Sequence, residues 1–228
     1  MEPKDLLIRP FRLADDLEEA YRVFISGFYH VYWPLFNEAA PSLGKDFLRI
    51  CALIGSRSFS AEADGRVVGI LLGAAQPKWK YVRAGIAEAI FRFGPKAIFN
   101  RYQMSPFARK HLRRLFYGYR PHFFKHPFHF PWAEIILFAV HEDFRHRGLG
   151  QKLMDAFLDI VSHKAIPQAT VCTDTKMSWK FYPAYGFTRV REFPLTAYKY
   201  THPGEEVSGY IYAIETQADS SRKKGEKT

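Results

Sequence analysis

Apolar residues recur along this chain at two periods, and the switches between them mark its elements. Leu6 to Arg9 is a short apolar run closed by Pro10, which predicts a first strand. From Ala14 to Phe24 the positions Leu17, Ala20, Tyr21 and Phe24 fall at helical spacing, behind acids that suit a helix start. A second helix is predicted from Ser42 to Ile54. The runs 58–63 and 66–74 then flank Asp64-Gly65, a strong short hairpin signal. Ala133 to Val140 is almost wholly apolar after Glu134, as expected of a strand covered on both faces. Gly148 to Lys164 returns to helical spacing, with Leu149, Leu153, Ala156, Phe157 and Ile160 on one face. A strand at Ala169 to Thr173, a short helix around Lys176 to Ala184 and strands near Thr188 to Phe193 and Tyr210 to Ile214 complete the pattern. A strand, helix, strand crossover gives a parallel pair, so the fold class is α/β.

Between the hairpin and the Ala133 strand lies a segment of different character, residues 77–132. It predicts one helix near Tyr81 to Phe93 and another near Phe107 to Tyr119. In the second, Phe107, Leu112, Leu115, Phe116 and Tyr119 form an apolar stripe opposite Arg109, Lys110, Arg113 and Arg114. Pro121, Pro127 and Pro131 follow, and they predict an aromatic connection that is not helical throughout.

Charge sharpens that division. The 228 residues carry a net charge of +10. Residues 77–132 hold twelve Lys and Arg against the single acid Glu88, a balance of +11, so the rest of the chain stands at −1. A basic insert sits in a nearly neutral domain. With 47% hydrophobic and 25% charged residues, the chain has globular composition, and nothing in its Pro, Gly or Ser distribution marks a linker. We therefore expect one domain over residues 1–216 and a polar, disordered tail at 217–228. The start lacks a signal-peptide pattern and no stretch suits a membrane span, which predicts a cytoplasmic protein. Cys51 and Cys172 lie far apart without metal-like spacing and are expected as reduced, small apolar residues.

The most informative run joins the Ala133 strand to the next helix through Arg145-His146-Arg147-Gly148-Leu149-Gly150-Gln151. A helix start presents unpaired amides at a positive dipole end, and glycines let a bulky anion approach them. Arg145, Arg147 and Lys152 add charge. This run resembles the phosphate-binding signature of the GNAT superfamily of acetyltransferases: Arg or Gln, two residues, Gly, one residue, Gly or Ala. A second run is similar to the family's next motif. Phe181, Tyr182, Gly186 and Phe187 agree with it, whereas Thr175 stands for the usual Asn and Ser178 for the usual Ala. Thr175 could cap the helix there, and Pro183 should end that helix early. Ile8-Arg9-Pro10 with Asp15-Asp16 also looks like the family's first strand and helix.

The resemblance implies a mostly antiparallel central sheet with helices on both faces, a splayed parallel strand pair and the helical insert. It implies acetyl-CoA as co-substrate and no metal, with the main chain of Phe138, Ala139 and Val140 pairing with the pantetheine arm. Arg145, His146, Arg147, Gly148, Leu149, Gly150 and Gln151 would hold the diphosphate, and Thr175, Ser178, Phe181 and Tyr182 would line the rest of the site. The acceptor would be a primary amine of a small molecule. Roughly one lysine-like amine in 2,500 is neutral at pH 7, so a base should take its proton. Glu134 is the candidate, as the ionisable side chain inside an apolar strand and at the position of the Glu in the family's histone-modifying branch; a solvated residue in the strand's first turn is the other reading. His141 is a weaker candidate. Tyr182 matches the family's acid that protonates the leaving thiolate; a packing tyrosine is its alternative.

The insert should lie beside the acceptor side of the cleft, where it could act as a lid and disfavour polycationic acceptors. Its fifteen aromatics among basic residues also admit a rival reading, a module that binds a nucleic acid, another anionic polymer or a membrane surface. His122, His126 and His129 do not predict a metal site, because Pro121 and Pro127 interrupt any helix that would align them. The chain is expected as a monomer, or as a homodimer paired through its apolar last strand.

Overall fold

A computed structural model describes residues 6–38, 42–76, 79–125 and 132–216. In chain order the strands are β1 (Leu6–Pro10), β2 (Arg57–Ala63), β3 (Arg66–Gln76), β4 (Trp132–Val140), β5 (Gln168–Asp174), β6 (Thr188–Pro194) and β7 (Ser208–Glu215). The helices are α1 (Leu13–Glu38), α2 (Ser42–Ile54), α3 (Trp79–Ile98), α4 (Pro106–Lys125), α5 (Leu149–His163) and α6 (Phe181–Tyr185). The strands form one mixed sheet in the order β1-β2-β3-β4-β5-β7-β6. Among the described strands every neighbouring pair is antiparallel except β4 and β5.

Each sheet face is covered by its own core. On one side α5 buries Leu149, Leu153, Met154, Phe157 and Val161 against β2, β3, β4 and β5. Ala156 and Ile160, expected in that face, lie at its margin instead. On the other side α1 and α2 pack Leu17, Ala20, Val23, Phe24 and Leu48 on Ile70, Leu72, Leu137 and Ala139. The hairpin closes through Asp64 and Gly65, both at positive φ, as a type I′ turn requires.

The start of α1 is locked to β1. Arg9 grips Asp16 through two nitrogens at 2.8 Å each, and Asp16 also accepts from the Arg12 amide and Ser60 Oγ. Burial pushes the Asp16 carboxyl upward, but those donors outweigh it and hold the carboxyl below its usual range. The Ile8-Arg9-Pro10 and Asp15-Asp16 pattern thus has a structural cause.

The insert packs on the same side of the sheet as α1 and α2. Asp46 of α2 is buried and meets Lys96 of α3 at 2.7 Å, Tyr102 Oη at 2.9 Å and Arg49 at 2.6 Å. Farther along, Tyr102, Met104, Ala108 and Leu115 join Phe193, Leu195, Ala197, Tyr198, Val207 and Ile211 in a third core. The apolar face of α4 differs from the predicted stripe: Ala108, His111 and Leu115 are buried, while Phe107 is largely exposed. Arg109, Lys110 and Arg113 do face water.

Several helix ends differ from those predicted. Helix α4 continues through Pro121 to Lys125, and α3 contains Pro95. Pro121 lies in the last turns of α4, so one helix bond is lost rather than a whole segment. The helix expected around Lys176 to Ala184 begins only at Phe181; residues 175–180 are turns, and Thr175 caps nothing. Pro183 does not shorten α6. It occupies the first turn, where an amide has no partner within the helix, and Tyr182 before it is helical. His126, His129, Pro127 and Pro131 lie outside the described residues, as does the 217–228 tail.

Candidate active site

The parallel pair holds together for three residues and then opens. Ala133, Glu134 and Ile135 pair with Ala169, Thr170 and Val171, and the pairing stops there. Beyond it Leu137 to Val140 stay bonded to β3 while Cys172 to Asp174 stay bonded to β7, so a wedge separates β4 from β5. The cause is visible on β4. Its register with β3 jumps from Leu72↔Leu137 to Gly73↔Ile135, leaving Ile136 as a bulge at the place where the wedge starts. The bulge reverses the strand's faces. Ala133 and Ile135 pack toward α5, whereas Leu137 and Ala139 pack toward α1.

That reversal sets which main-chain groups look into the wedge. The His141 amide bonds Val68 O at 2.9 Å, so by antiparallel alternation Ala139 turns its main chain to β3. Phe138 and Val140 turn theirs to the open edge. Of the three residues expected to offer main chain to a ligand, Phe138 and Val140 present it to the wedge, whereas Ala139 spends its own on β3 and buries its side chain under α1.

At the end of the wedge, β4 passes through the loop 141–148 into α5. His146 has φ 60° and Gly148 φ 74°, left-handed positions that turn neighbouring amides into one concavity. Gly148 is the helix N-cap, with no side-chain cap. The first bond into α5 runs from the Lys152 amide to Gly148 O at 3.1 Å, so the amides of Leu149, Gly150 and Gln151 precede it and lack helical acceptors. His146, Arg147, Gly148 and Gln151 are exposed, and Leu149 is buried beneath them. Arg145 is partly committed elsewhere: it donates to Val140 O at 3.2 Å and Ser26 O at 3.3 Å. With the Glu142 amide bonded to Ser26 Oγ at 3.0 Å, it straps the loop to α1. Gly150 has a packing reason. A Cβ there would stand 3.1 Å from the Phe138 ring and 3.3 Å from the Phe181 ring.

Glu134 lies on the α1 side of β4, just before the bulge. Part of the residue remains accessible, but its carboxyl is enclosed by protein, and that desolvation pushes it up to about 7. No hydrogen bond or ion pair to it appears among the described residues. Cys172 follows the last residue of β5 paired with β4 and packs against the core shared with the insert; burial raises its thiol, and the charges of Glu134 and Asp174 raise it further. Tyr182 is buried, stacked on Tyr212 and edge-on to Phe181 and Phe187. Burial raises its phenol, with the Cys172 charge adding to it, so it stays protonated at neutral pH. Cys172 therefore lies within electrostatic reach of both Glu134, which raises it, and Tyr182, which it raises.

The remaining expected residues divide. Phe181 meets Phe138 at 5.2 Å and joins the wall of the wedge. Ser178 is exposed on the turn, and Thr175 is clipped to β7, its Oγ1 accepting from the Ser208 amide at 3.3 Å. His141 caps the short turn Glu142–Phe144 rather than facing Glu134. Sequence reasoning missed Cys172 and Ser26, and nothing in their local pattern distinguishes them. No cluster of His, Cys, Asp and Glu suited to a metal occurs among the described residues.

Comparison with known proteins agrees with this geometry. The profile of the Acetyltransferase (GNAT) family matches residues 25–187. An N-acetyltransferase from Staphylococcus aureus Mu50 superposes with a TM-score of 0.56 at 10% identity, over 94% of this chain and 100% of the other. The Ard1 protein of Thermoplasma volcanium gives 0.52 at 19% identity, over 92% and 97%. The ribosomal-protein-S18-alanine N-acetyltransferase of Escherichia coli gives 0.50 at 14%, over 93% and 95%. No curated protein sequence matches the chain. The opened parallel pair, the uncapped helix start and the family match together identify the chain as a member of the GNAT family of acetyltransferases.

Proposed function

We propose that the protein transfers an acetyl group from acetyl-CoA to a primary amine of a small molecule by direct attack. The observation that carries this reading is the wedge between β4 and β5 ending at the uncapped start of α5. Its length suits an extended arm laid along β4, and its end offers amides and left-handed loop positions to a diphosphate. Acetyl-CoA supplies the activated thioester. The amides of Phe138 and Val140 bind the arm; those of Gly148, Leu149, Gly150 and Gln151, with Arg147 and Lys152, hold the diphosphate. Arg145 and Ser26 fix the loop's shape.

Glu134 takes the proton from the attacking amine, directly or through water. A carboxyl near 7 is a base matched to neutral pH, because it is half ionised there yet strong enough to accept the proton. The amine nitrogen bonds the acyl carbon, the carbon–sulfur bond breaks, and Tyr182 Oη gives its proton to the departing sulfur. The raised phenol ensures that this proton is present across the working range. Insert and α1 border the side of the sheet from which Glu134 is reached, which makes the insert a lid over the acceptor and, through its +11 balance, disfavours polycations.

The test is incubation of purified protein with acetyl-CoA and an amine library, with thiol release and product mass as readouts. Amine-dependent thiol release and a product heavier by one acetyl group support the reading. Thiol release that no amine accelerates overturns it.

A further inference from the structure

We propose that the outward face of α3 and its corner with α4 form a docking surface for a membrane bearing anionic headgroups. The inference goes beyond acetyl transfer and does not depend on it. Helix α3 buries Ala89 and Phe93 toward the protein. A surface helix normally turns polar residues outward from such a seam. Here the opposite stripe, Ala87, Ile90, Phe91 and Ile98, is apolar and exposed. Ile90 is 66% exposed, Phe91 83%, Ile98 79% and Phe99, in the following turn, 73%. The corner itself is rigid, since Asn100 exchanges side-chain hydrogen bonds with both main-chain groups of Met104.

Charge selects the occupant. The single acid of the insert, Glu88, is already paired with Arg92 at 2.7 Å, and the exposed Arg101, Arg109, Lys110 and Arg113 follow in the corner and along α4. A second copy would bring an equally basic insert against this one, and like charges would oppose the contact. A nucleic acid would meet the bases and could stack on Phe91 and Phe99, but Ile90 and Ile98 beside them offer it neither stacking nor hydrogen bonds and would stay exposed in that complex. An anionic bilayer suits both features: bulky apolar side chains enter the acyl boundary while arginine and lysine stay among headgroups. No described helix is long and apolar enough to cross a membrane, so the contact lies in the plane of the surface.

The experiment is sedimentation with vesicles of phosphatidylcholine alone and with about one quarter phosphatidylglycerol, near 0.1 M salt. The full chain is compared with the exposed double variant Phe91→Ser/Ile98→Ser and with Arg109→Ala/Lys110→Ala, after thermal melts confirm folding. The proposal predicts binding to anionic vesicles alone, weakened at least about tenfold by either double variant. Absence of wild-type sedimentation overturns it. So does binding that Phe91→Ser/Ile98→Ser leaves intact, which would mean charge alone. Size-exclusion showing a dimer that this variant splits would assign the stripe to a second copy and also overturn the proposal.

Discussion

The wedge between β4 and β5 and the insert beside it are built by opposite means. The wedge is shaped by main chain: a bulge at Ile136, an alternation that turns Phe138 and Val140 outward, and a glycine where α5 meets two rings. The insert is held by side chains, through a buried carboxylate, Asp46, that binds Lys96 and Tyr102 across 50 and 56 residues of chain, beside Arg49 of its own helix. Geometry set by main chain recurs in any sequence that keeps the glycines and the apolar period. Geometry set by distant charge pairs is particular to one chain. This is why the wedge carries a family resemblance while the insert carries none that names an acceptor.

Four changes should sharpen or break that contrast. The largest effect is expected from Gly150→Leu, whose side chain would enter the Phe138–Phe181 contact at the helix start. Titration calorimetry should show acetyl-CoA affinity falling by about a thousandfold, or ~4 kcal/mol. Affinity within a few-fold of wild type would mean that the helix start is not where the nucleotide sits.

Next comes Glu134→Gln, expected to lower turnover by about a hundredfold at pH 8. In the parent the pH–rate profile should rise through about 7 and then level, and the variant should lose that limb. The same carboxyl affects stability with a definite sign. Its folded value lies above the ordinary 4.5, so its neutral form favours the fold below that value, and the benefit is lost as pH rises through about 7. Glu134→Gln should therefore be more stable than the parent at pH 8, by about 2 kcal/mol after allowance for partial exposure. A melt in which the two coincide would place the carboxyl in water.

Asp46→Ala tests the other region. Removing this buried acceptor strands Tyr102 Oη and two cations that are partly exposed, so denaturation should show a loss of about 2 kcal/mol. Acetyl-CoA affinity should not change. A parallel fall in affinity would show that the insert and the wedge are one cooperative unit. The smallest effect is Tyr182→Phe, about tenfold in turnover with unchanged affinity, because a thiolate leaves readily without much help. Equal turnover would leave Tyr182 as a packing residue stacked on Tyr212.

The sequence disclosed what local physics controls. Asp64-Gly65 marked a hairpin because left-handed turn residues are few, and Ser42 to Ile54 was legible as a helix because its apolar spacing survives intact. Arg145, Gly148 and Gly150 marked the loop, although the structure divides their work: Arg145 braces, Gly148 turns and Gly150 makes room. The bulge at Ile136 was hidden, since it arises from register with β3 rather than from any residue in β4. Pro183 misled for a related reason, because its effect depends on where α6 begins, and that is decided by turns at 175–180 that bind β7. Phe107 looked like core and His111 did not. The structure reverses them, burying His111 with neither ring nitrogen paired among the described residues.

One measurement bears most directly on the central claim that the wedge and the start of α5 grip coenzyme A. It is calorimetric titration of the folded chain with acetyl-CoA, run beside Gly150→Leu. The account predicts saturable heat with a single site in the parent and none in the variant at the same concentrations. Absence of heat from the parent up to about a millimolar, or equal heat from both proteins, would contradict it.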